Sequence, residues 1–265
     1  MTSLDADALR AIYDEQLRTF AGALPEGASV EHDGPLLRFT GFGSGGFIAY
    51  RSLDELTDAE LDELIARQVR YFTERGERFE WKLFGHDRPD LAGRLRAHGF
   101  EPEELEAVVI GLVAPLAAAP PRSIPGVRLR EVTSRADLDR IGRLEEQVWN
   151  DGSSDWLPEA LHKEWLADPG SLLFVVAEAD DRFVCAGWTR YIPGTEFATL
   201  WGGSTLLEYR GQGIYKAVVE YRARKAAALG YKYLQVDASP DSRPILERLG
   251  LIQVATTTPY LYRPA

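Results

Sequence analysis

Hydrophobic positions along the chain recur with two periods, which predict helices and strands in alternation. Apolar residues three and four positions apart predict amphipathic helices, as in 57–75 and 137–149. Short apolar runs and strict alternation predict strands, most strongly over 171–178 and 197–207. Helices interleaved with strands in this way are typical of an α/β protein, with a mixed sheet flanked by helices.

A stretch rich in proline and alanine, Ala114 to Arg122, separates two such series of elements. Three prolines in so short a stretch disfavour any long helix or strand, so we predict a linker. The chain has 265 residues, which is long enough for two domains of ordinary size. We therefore predict an amino-terminal domain over 1–115, a linker over 116–125 and a second domain over 126–265.

The two predicted domains share a local pattern of strand, helix, glycine and strand. When Gly99 is placed over Gly250, Pro89-Asp90 falls on Pro240-Asp241 without gaps. This match indicates that the first half is a second copy of the same unit. The alternative is coincidence, because strand–helix–strand units are common and Pro-Asp often opens a helix.

Composition narrows the classes of function and partner. The net charge of −11 argues against nucleic acid or an anionic membrane as a partner. One cysteine excludes a disulfide framework, and the four histidines lack metal-ligand spacing, so we expect no metal. No apolar run reaches membrane-spanning length and no signal peptide is recognisable, so we expect a cytoplasmic protein.

The candidate chemistry lies between the strand 197–207 and the helix that begins at Ile214. Glycines before a helix bring backbone N–H groups close to a ligand, and the helix dipole favours an anion such as phosphate. Arg210 adds a positive charge. A Walker loop is excluded because Ile214 follows Gly213, and a dinucleotide fingerprint because Lys216 is not glycine. Alternatively, the glycines serve only the turn.

The stretch Arg210-Gly211-Gln212-Gly213-Ile214 resembles the Gln/Arg-x-x-Gly-x-Gly/Ala turn of the GCN5-related N-acetyltransferases (GNAT), although Tyr215 replaces the final small residue. The element order after the linker is also similar to this family. The resemblance implies the acyl-CoA N-acyltransferase fold, here in tandem. The amino-terminal half would be a degenerate copy, because its helix after Tyr50 begins with acidic residues that repel a diphosphate.

The resemblance implies acetyl-CoA as acyl donor, bound in a wedge between two splayed parallel strands. The pantetheine arm would pair with the first strand, and the diphosphate would lie in the turn. The cofactor-binding residues implied are Gly203, Ser204, Thr205, Arg210, Gly211, Gln212, Gly213, Ile214 and Tyr215.

The resemblance also implies direct attack of an amine on the thioester, with a base to take its proton. Asp237, at the carboxyl end of a strand, is our candidate base, although it also suits a helix cap. Ser239 stands where the family often has asparagine, and Leu246 where it has the tyrosine acid, so Tyr215, Tyr260 or water would substitute.

Five residues are candidates to line an acceptor pocket: Trp149, Asp151, Asp155, Trp156 and Trp201. The alternative for the tryptophans is core packing, and the alternative for the two aspartates is a plain turn. The sequence thus predicts an acetyl-CoA-dependent N-acetyltransferase acting on the primary amine of a small molecule or peptide, as a monomer or homodimer. The alternative is a catalytically silent CoA-binding or protein-interaction module of the same fold.

Overall fold

The computed structural model describes residues 5–20 and 22–264. Residues 1–4, 21 and 265, which fall inside the predicted domains, lie outside the described residues. In the amino-terminal half the elements are α1 (Ala6–Gln16), β1 (Ser29–Asp33), β2 (Leu36–Thr40), β3 (Gly46–Tyr50), α2 (Asp58–Glu74), β4 (Phe79–Phe84), α3 (Leu91–Ala97), β5 (Glu101–Pro102), β6 (Glu106–Leu112) and α4 (Val113–Ala118).

The carboxy-terminal half continues the alternation of helices and strands. Its elements are β7 (Arg128–Glu131), α5 (Arg135–Trp149), α6 (Ser153–Ala167), β8 (Leu172–Ala179), β9 (Arg182–Tyr191), β10 (Phe197–Thr205), a 3₁₀ turn (Leu207–Tyr209), α7 (Ile214–Ala228), β11 (Tyr233–Ala238), α8 (Arg243–Glu247) and β12 (Ile252–Tyr262). Within the described residues, no helix is both long enough and apolar enough to cross a bilayer.

The strands form one twelve-stranded sheet in the order β1-β2-β3-β4-β12-β6-β11-β10-β9-β8-β7, with β5 paired to β12. The last strand of each half therefore inserts into the other half. β12 lies between β4 and β6, and β6 lies between β12 and β11. The division into domains at 116–125 stays a prediction, since the sheet runs through both halves without a break.

The predicted internal repeat is present in the structure. β3 pairs with β4 in parallel over three residues, and β10 pairs with β11 in the same way. Each short helix that follows ends at a glycine with positive φ, 88° at Gly99 and 93° at Gly250. The amides of Phe100 and Leu251 then close equivalent turns onto Leu95 and Leu246. The two halves are thus two copies of one fold.

Two predicted boundaries were wrong. The stretch from Ala114 is not irregular at its start, because α4 runs to Ala118. Pro115 lies in its first turn, where the missing N–H costs nothing. Similarly, Pro158 predicts a helix that starts there, because proline is favoured in the first turn, whereas α6 begins at Ser153. Pro158 lies inside the helix, and its ring packs against Gly142 of α5, where a Cβ atom would come within 2.5 Å of the proline ring.

Candidate functional site

The parallel strands β10 and β11 separate part-way along their length. Their pairing runs from Phe197↔Tyr233 to Thr199↔Gln235 and ends there. Beyond that point β10 pairs only with β9, with a register shift between Gly202 and Ser204. β11 meanwhile continues along β6 to Ala238. The result is a wedge-shaped opening between two parallel strands, the shape that the family resemblance implies for binding the acyl donor.

The turn between β10 and α7 leaves a row of backbone amides available. The N–H groups of residues 211–216 donate to no acceptor in the described part of the chain, whereas Ala217 N already bonds to Gly213 O. Gly211 and Gly213 have φ angles of 76° and 83°, which explains the glycines, since no neighbouring atom crowds either one. Free amides and the positive end of the α7 dipole favour an anion here.

Arg210 is fixed beside this turn. Its Nε donates to the carbonyl of Thr205 at 3.1 Å, which ties the side chain to the end of β10. Gln212 Nε2 donates back to Glu208 O at 3.2 Å. The residues from Arg210 to Tyr215, which were predicted to bind the diphosphate, thus lie together in one turn, of which Arg210, Gly211 and Gln212 are exposed.

Tyr215, which replaces a small residue in the turn motif, has a structural explanation. A Cβ atom on Gly203 would lie 2.6 Å from Tyr215 Cε2, so the phenol ring packs directly on the β10 backbone. Burial raises the pKa of Tyr215. Gly202 is crowded in the same way by Trp188, whose ring would lie 2.4 Å from the added atom. Both glycines of the irregular part of β10 are therefore required by close approach.

Arg222 supports this irregular segment from α7, and no feature of the motif pointed to it. The side chain is only 1% exposed, yet its Nη1 donates to the carbonyls of Trp188 (3.0 Å) and Trp201 (3.1 Å). Burial lowers its pKa. The available signal was an arginine on the apolar face of a helix, between Val218 and Ala226.

The opposite face of the sheet carries α5 and α6, and here Trp149, Ser204 and Glu145 form a chain of hydrogen bonds. Trp149 Nε1 donates to Ser204 Oγ at 2.7 Å, and Ser204 Oγ donates to Glu145 Oε2 at 2.7 Å. Glu145 is 6% exposed, and its burial raises the pKa to about 7. Sequence reasoning missed Glu145, although a carboxylate between Leu144 and Val148 on the inner face of a helix was a signal.

The predicted acceptor-pocket residues do not all share one place. Trp149 and Trp201 are half exposed, and Trp201 stacks under Arg190, whose guanidinium carbon lies 4.3 Å from the ring centre. Trp156 packs against the core of the carboxy-terminal half. Asp151 accepts a bond from the amide of Ser153 (3.0 Å), and Asp155 is exposed in the first turn of α6.

The proposed catalytic residues Asp237 and Ser239 lie at the end of β11. Asp237 Oδ2 forms an ion pair with Lys82 of β4, and its Oδ1 accepts from Gln235 Nε2 at 2.9 Å. Ser239 and Ser242 are hydrogen-bonded to each other at the start of the next helical turn. Their catalytic assignment stays a prediction. Tyr260, considered as an acid, is buried in the core of the amino-terminal half and is unsuitable.

The amino-terminal half differs from this arrangement at the turn after its parallel strand β3. The chain between β3 and α2 has no paired glycines, and the first turn of α2 is occupied by a capping box in which Thr57 and Glu60 bond each other's amides. Its acidic side chains oppose an anion. Within the described residues, no cluster of three or more histidine, cysteine or carboxylate side chains has the geometry of a metal site.

Comparison with protein families matches residues 138–251 to the acetyltransferase (GNAT) family. Comparison with curated protein sequences finds no relative that matches the chain. Among solved structures, a GCN5-related N-acetyltransferase from Kribbella flavida is 18% identical with a TM-score of 0.68, over 98% of this chain and 96% of its own.

Two further solved structures have the same overall architecture. A tandem GNAT protein from the clavulanic acid biosynthesis pathway is 11% identical with a TM-score of 0.62, over 98% of this chain and 96% of its own. A GCN5-related N-acetyltransferase from Sphaerobacter thermophilus is 13% identical with a TM-score of 0.61, over 90% and 77% respectively. The predicted fold is confirmed. Residues 138–251 of this chain thus match the GNAT acetyltransferase family, and the whole chain has the fold of a tandem GNAT protein.

Proposed function

We propose that this protein transfers an acetyl group from acetyl-CoA directly to the primary amine of a small molecule or peptide. The observation that carries the proposal is the row of free amides in residues 211–216, next to the opening between β10 and β11. A diphosphate there meets several aligned N–H donors, the α7 dipole and the charge of Arg210. The edge of β10 that β11 leaves unpaired, from Gly203 to Thr205, is suited to hydrogen-bond the amides of a pantetheine arm.

Acetyl-CoA supplies an acetyl group activated as a thioester. The residues of this chain would hold the donor in the opening and bring the acceptor to it. Trp149 and Trp201 form exposed aromatic walls on the face of the sheet that carries α5 and α6. Asp237 lies at the end of β11 beside the same opening. An ammonium group is favoured here because the carboxylates of Asp237, Glu80 and Glu106 outnumber the single ammonium group of Lys82.

Isothermal titration with acetyl-CoA tests the proposal. Gly213→Glu puts a negative charge at the start of α7, so affinity should fall by more than about 100-fold, because like charges cost several kcal/mol at a binding site. The matched control is Gly230→Glu, at the other end of α7. Gly230 has a φ of 84° and no crowding neighbours, as Gly213 has a φ of 83° and none.

The control separates loss of binding from loss of folding, because both variants place the same side chain in the same strained conformation. If wild-type protein released no heat with millimolar acetyl-CoA, the proposal would be wrong. If Gly213→Glu bound acetyl-CoA as tightly as wild type, the diphosphate would bind at another place.

A second function, CoA binding without transfer, is favoured by one observation. Leu246 is fully buried where the family resemblance implies a tyrosine acid, and the Ser239 hydroxyl is engaged with Ser242. A panel of primary amines with acetyl-CoA distinguishes the two functions. Release of free thiol that depends on the amine supports transfer, whereas binding without amine-dependent thiol release supports the silent module.

A further inference from the structure

Glu106 brings a carboxylate from the amino-terminal half to the proposed reaction centre. It is the first residue of β6, which runs antiparallel to β11 with Val108 opposite Asp237. Glu106 is therefore the diagonal neighbour of Asp237, at the end of β11 where β10 has already separated. Diagonal neighbours on one face of a sheet are within reach of long side chains.

Alternation along the strand places Glu106 on the same face as Asp237. Val108 and Ile110 pack under α1 together with Phe197 and, at its edge, Tyr233. Side chains two residues apart in a strand share a face. Glu106 therefore shares the face of Val108, and Asp237 shares the face of Tyr233, which is the same side of the sheet.

The two carboxylates differ in how they are engaged. Both oxygens of Asp237 have partners, Lys82 on one and Gln235 on the other. The carboxylate of Glu106, which is half buried, accepts no hydrogen bond from any residue that the structure describes. Of the two groups, Glu106 is the one that remains available to a ligand.

The charged surroundings of Glu106 suit a proton acceptor at neutral pH. The groups that face it are Asp237 from β11, Lys82 and Glu80 from β4, and Glu104 from the preceding loop. Burial is the main cause that raises the pKa of Glu106 to about 7, and Asp237 adds to it while Lys82 opposes it. A base is most effective when its pKa lies near the working pH.

We propose that Glu106 is the catalytic base that takes a proton from the ammonium group of the acceptor. The inference rests on the acetyl transfer proposed above. Glu106 accepts one proton from R–NH₃⁺, and the amine lone pair forms the N–C bond to the acetyl carbonyl. The C–S bond then breaks and the sulfur leaves as thiolate. The nitrogen loses its second proton, which neutralises the thiolate, so that the products are an N-acetylated amine and CoA–SH.

The amino-terminal half thereby becomes part of the active site of its partner half. This assignment explains why a copy without an anion-binding turn is joined to the other half by exchanged strands. β6 carries the base to β11, and β12 fills the place that β6 leaves beside β4.

Two probe nucleophiles test the base, with thiol release from acetyl-CoA as the assay. n-Butylamine is protonated at pH 7 and needs a base, whereas hydroxylamine is largely uncharged and does not. Glu106→Gln should lower kcat with butylamine by about 100-fold or more, as loss of a general base does. Hydroxylamine should react nearly as well with the variant as with wild type. The matched control, Glu101→Gln, removes the same charge from an exposed carboxylate of β5 that is not among the groups facing Glu106, and should leave both rates unchanged.

The pH profile supplies an independent readout. Wild type should gain activity with butylamine as pH rises through about 7, the pKa of Glu106. The wild-type rate should then level off, whereas the rate of the variant should stay low near pH 7 and keep rising with the uncharged fraction of butylamine, with no inflection near 7. Equal loss with both nucleophiles, no loss with either, or wild-type protein that binds acetyl-CoA but releases no thiol with either probe would overturn the assignment. Calorimetry on the same samples keeps the tests apart, since failure to bind acetyl-CoA contradicts the proposed function itself.

Discussion

The close contact between Gly203 and Tyr215 predicts that one methyl group added at position 203 lowers the free energy of unfolding. Part of this loss should depend on the Tyr215 ring. In Gly203→Ala the added Cβ atom would lie 2.6 Å from Tyr215 Cε2. Carbon atoms pack best at about 3.5–4.0 Å, so the methyl group overlaps the ring by about 1 Å. Gly203 also has a φ of 97°, which an L-residue adopts only with strain.

Backbone strain and overpacking contribute separately to this loss of stability, and only the overpacking depends on Tyr215. Strain from the positive φ amounts to roughly 1–2 kcal/mol. Overpacking costs about 1–3 kcal/mol, because Tyr215 lies in the first turn of α7 and must tilt to make room. Gly203→Ala should therefore lower the free energy of unfolding by about 2–5 kcal/mol. Removing the ring in Tyr215→Ala should eliminate the overpacking and leave the strain.

Urea unfolding of wild type, both single variants and the double variant measures this coupling. The alanine at position 203 should cost about 1–3 kcal/mol less when Tyr215 is absent. Gly211→Ala is the strain-only control, because Gly211 has a φ of 76° and no atom within 4 Å. If Gly203→Ala cost no more than Gly211→Ala, or if the cycle were additive within about 0.5 kcal/mol, the packing argument would be refuted.

Two other predictions concern buried charged groups. Arg222→Met leaves the carbonyls of Trp188 and Trp201 without their buried donor, so unfolding should become easier by about 2–6 kcal/mol, and an unchanged urea midpoint would contradict this. Glu145 has a pKa raised from 4.5 to about 7 by burial, so the folded state binds its proton more tightly and stability falls as pH rises between these values. The loss amounts to about 3 kcal/mol by pH 8. Glu145→Gln should remove this loss, and identical pH dependence in variant and wild type would refute the assignment.

The features that the sequence predicted are those with a local physical cause. Gly211 and Gly213 favour positive φ angles just before a helix, and both residues have them in the structure. Thr57 followed three residues later by Glu60 is the sequence signature of a capping box, which is also present. The repeat was visible because Gly99 and Gly250 each end a short helix before a strand. In each case a few neighbouring residues contain the whole requirement.

The features that the sequence could not predict depend on residues far apart in the chain. β6 and β12 are both apolar strands at the end of a half. No residue pattern within either strand indicates that it pairs with the other half. Lys82 and Asp237 are 155 positions apart and carry no motif. Glu106 and Arg222 were detectable only as charged residues at inward positions of a strand and a helix. Such a pattern marks a residue as unusual without naming its partner.

The two halves are similar in fold but place different groups beside the opening between β10 and β11. The carboxy-terminal half has the free amides and the open strand pair, both of which an anionic donor requires. The amino-terminal half has the acidic helix start that opposes such a donor, yet it contributes Lys82 and Glu106 beside Asp237. Because β6 pairs with β11 along the whole length of β11, removing the first half would leave that edge of β11 without a partner strand. A copy without an anion-binding turn can therefore still be indispensable, since it holds β11 in place and, in the function proposed above, lines the acceptor side.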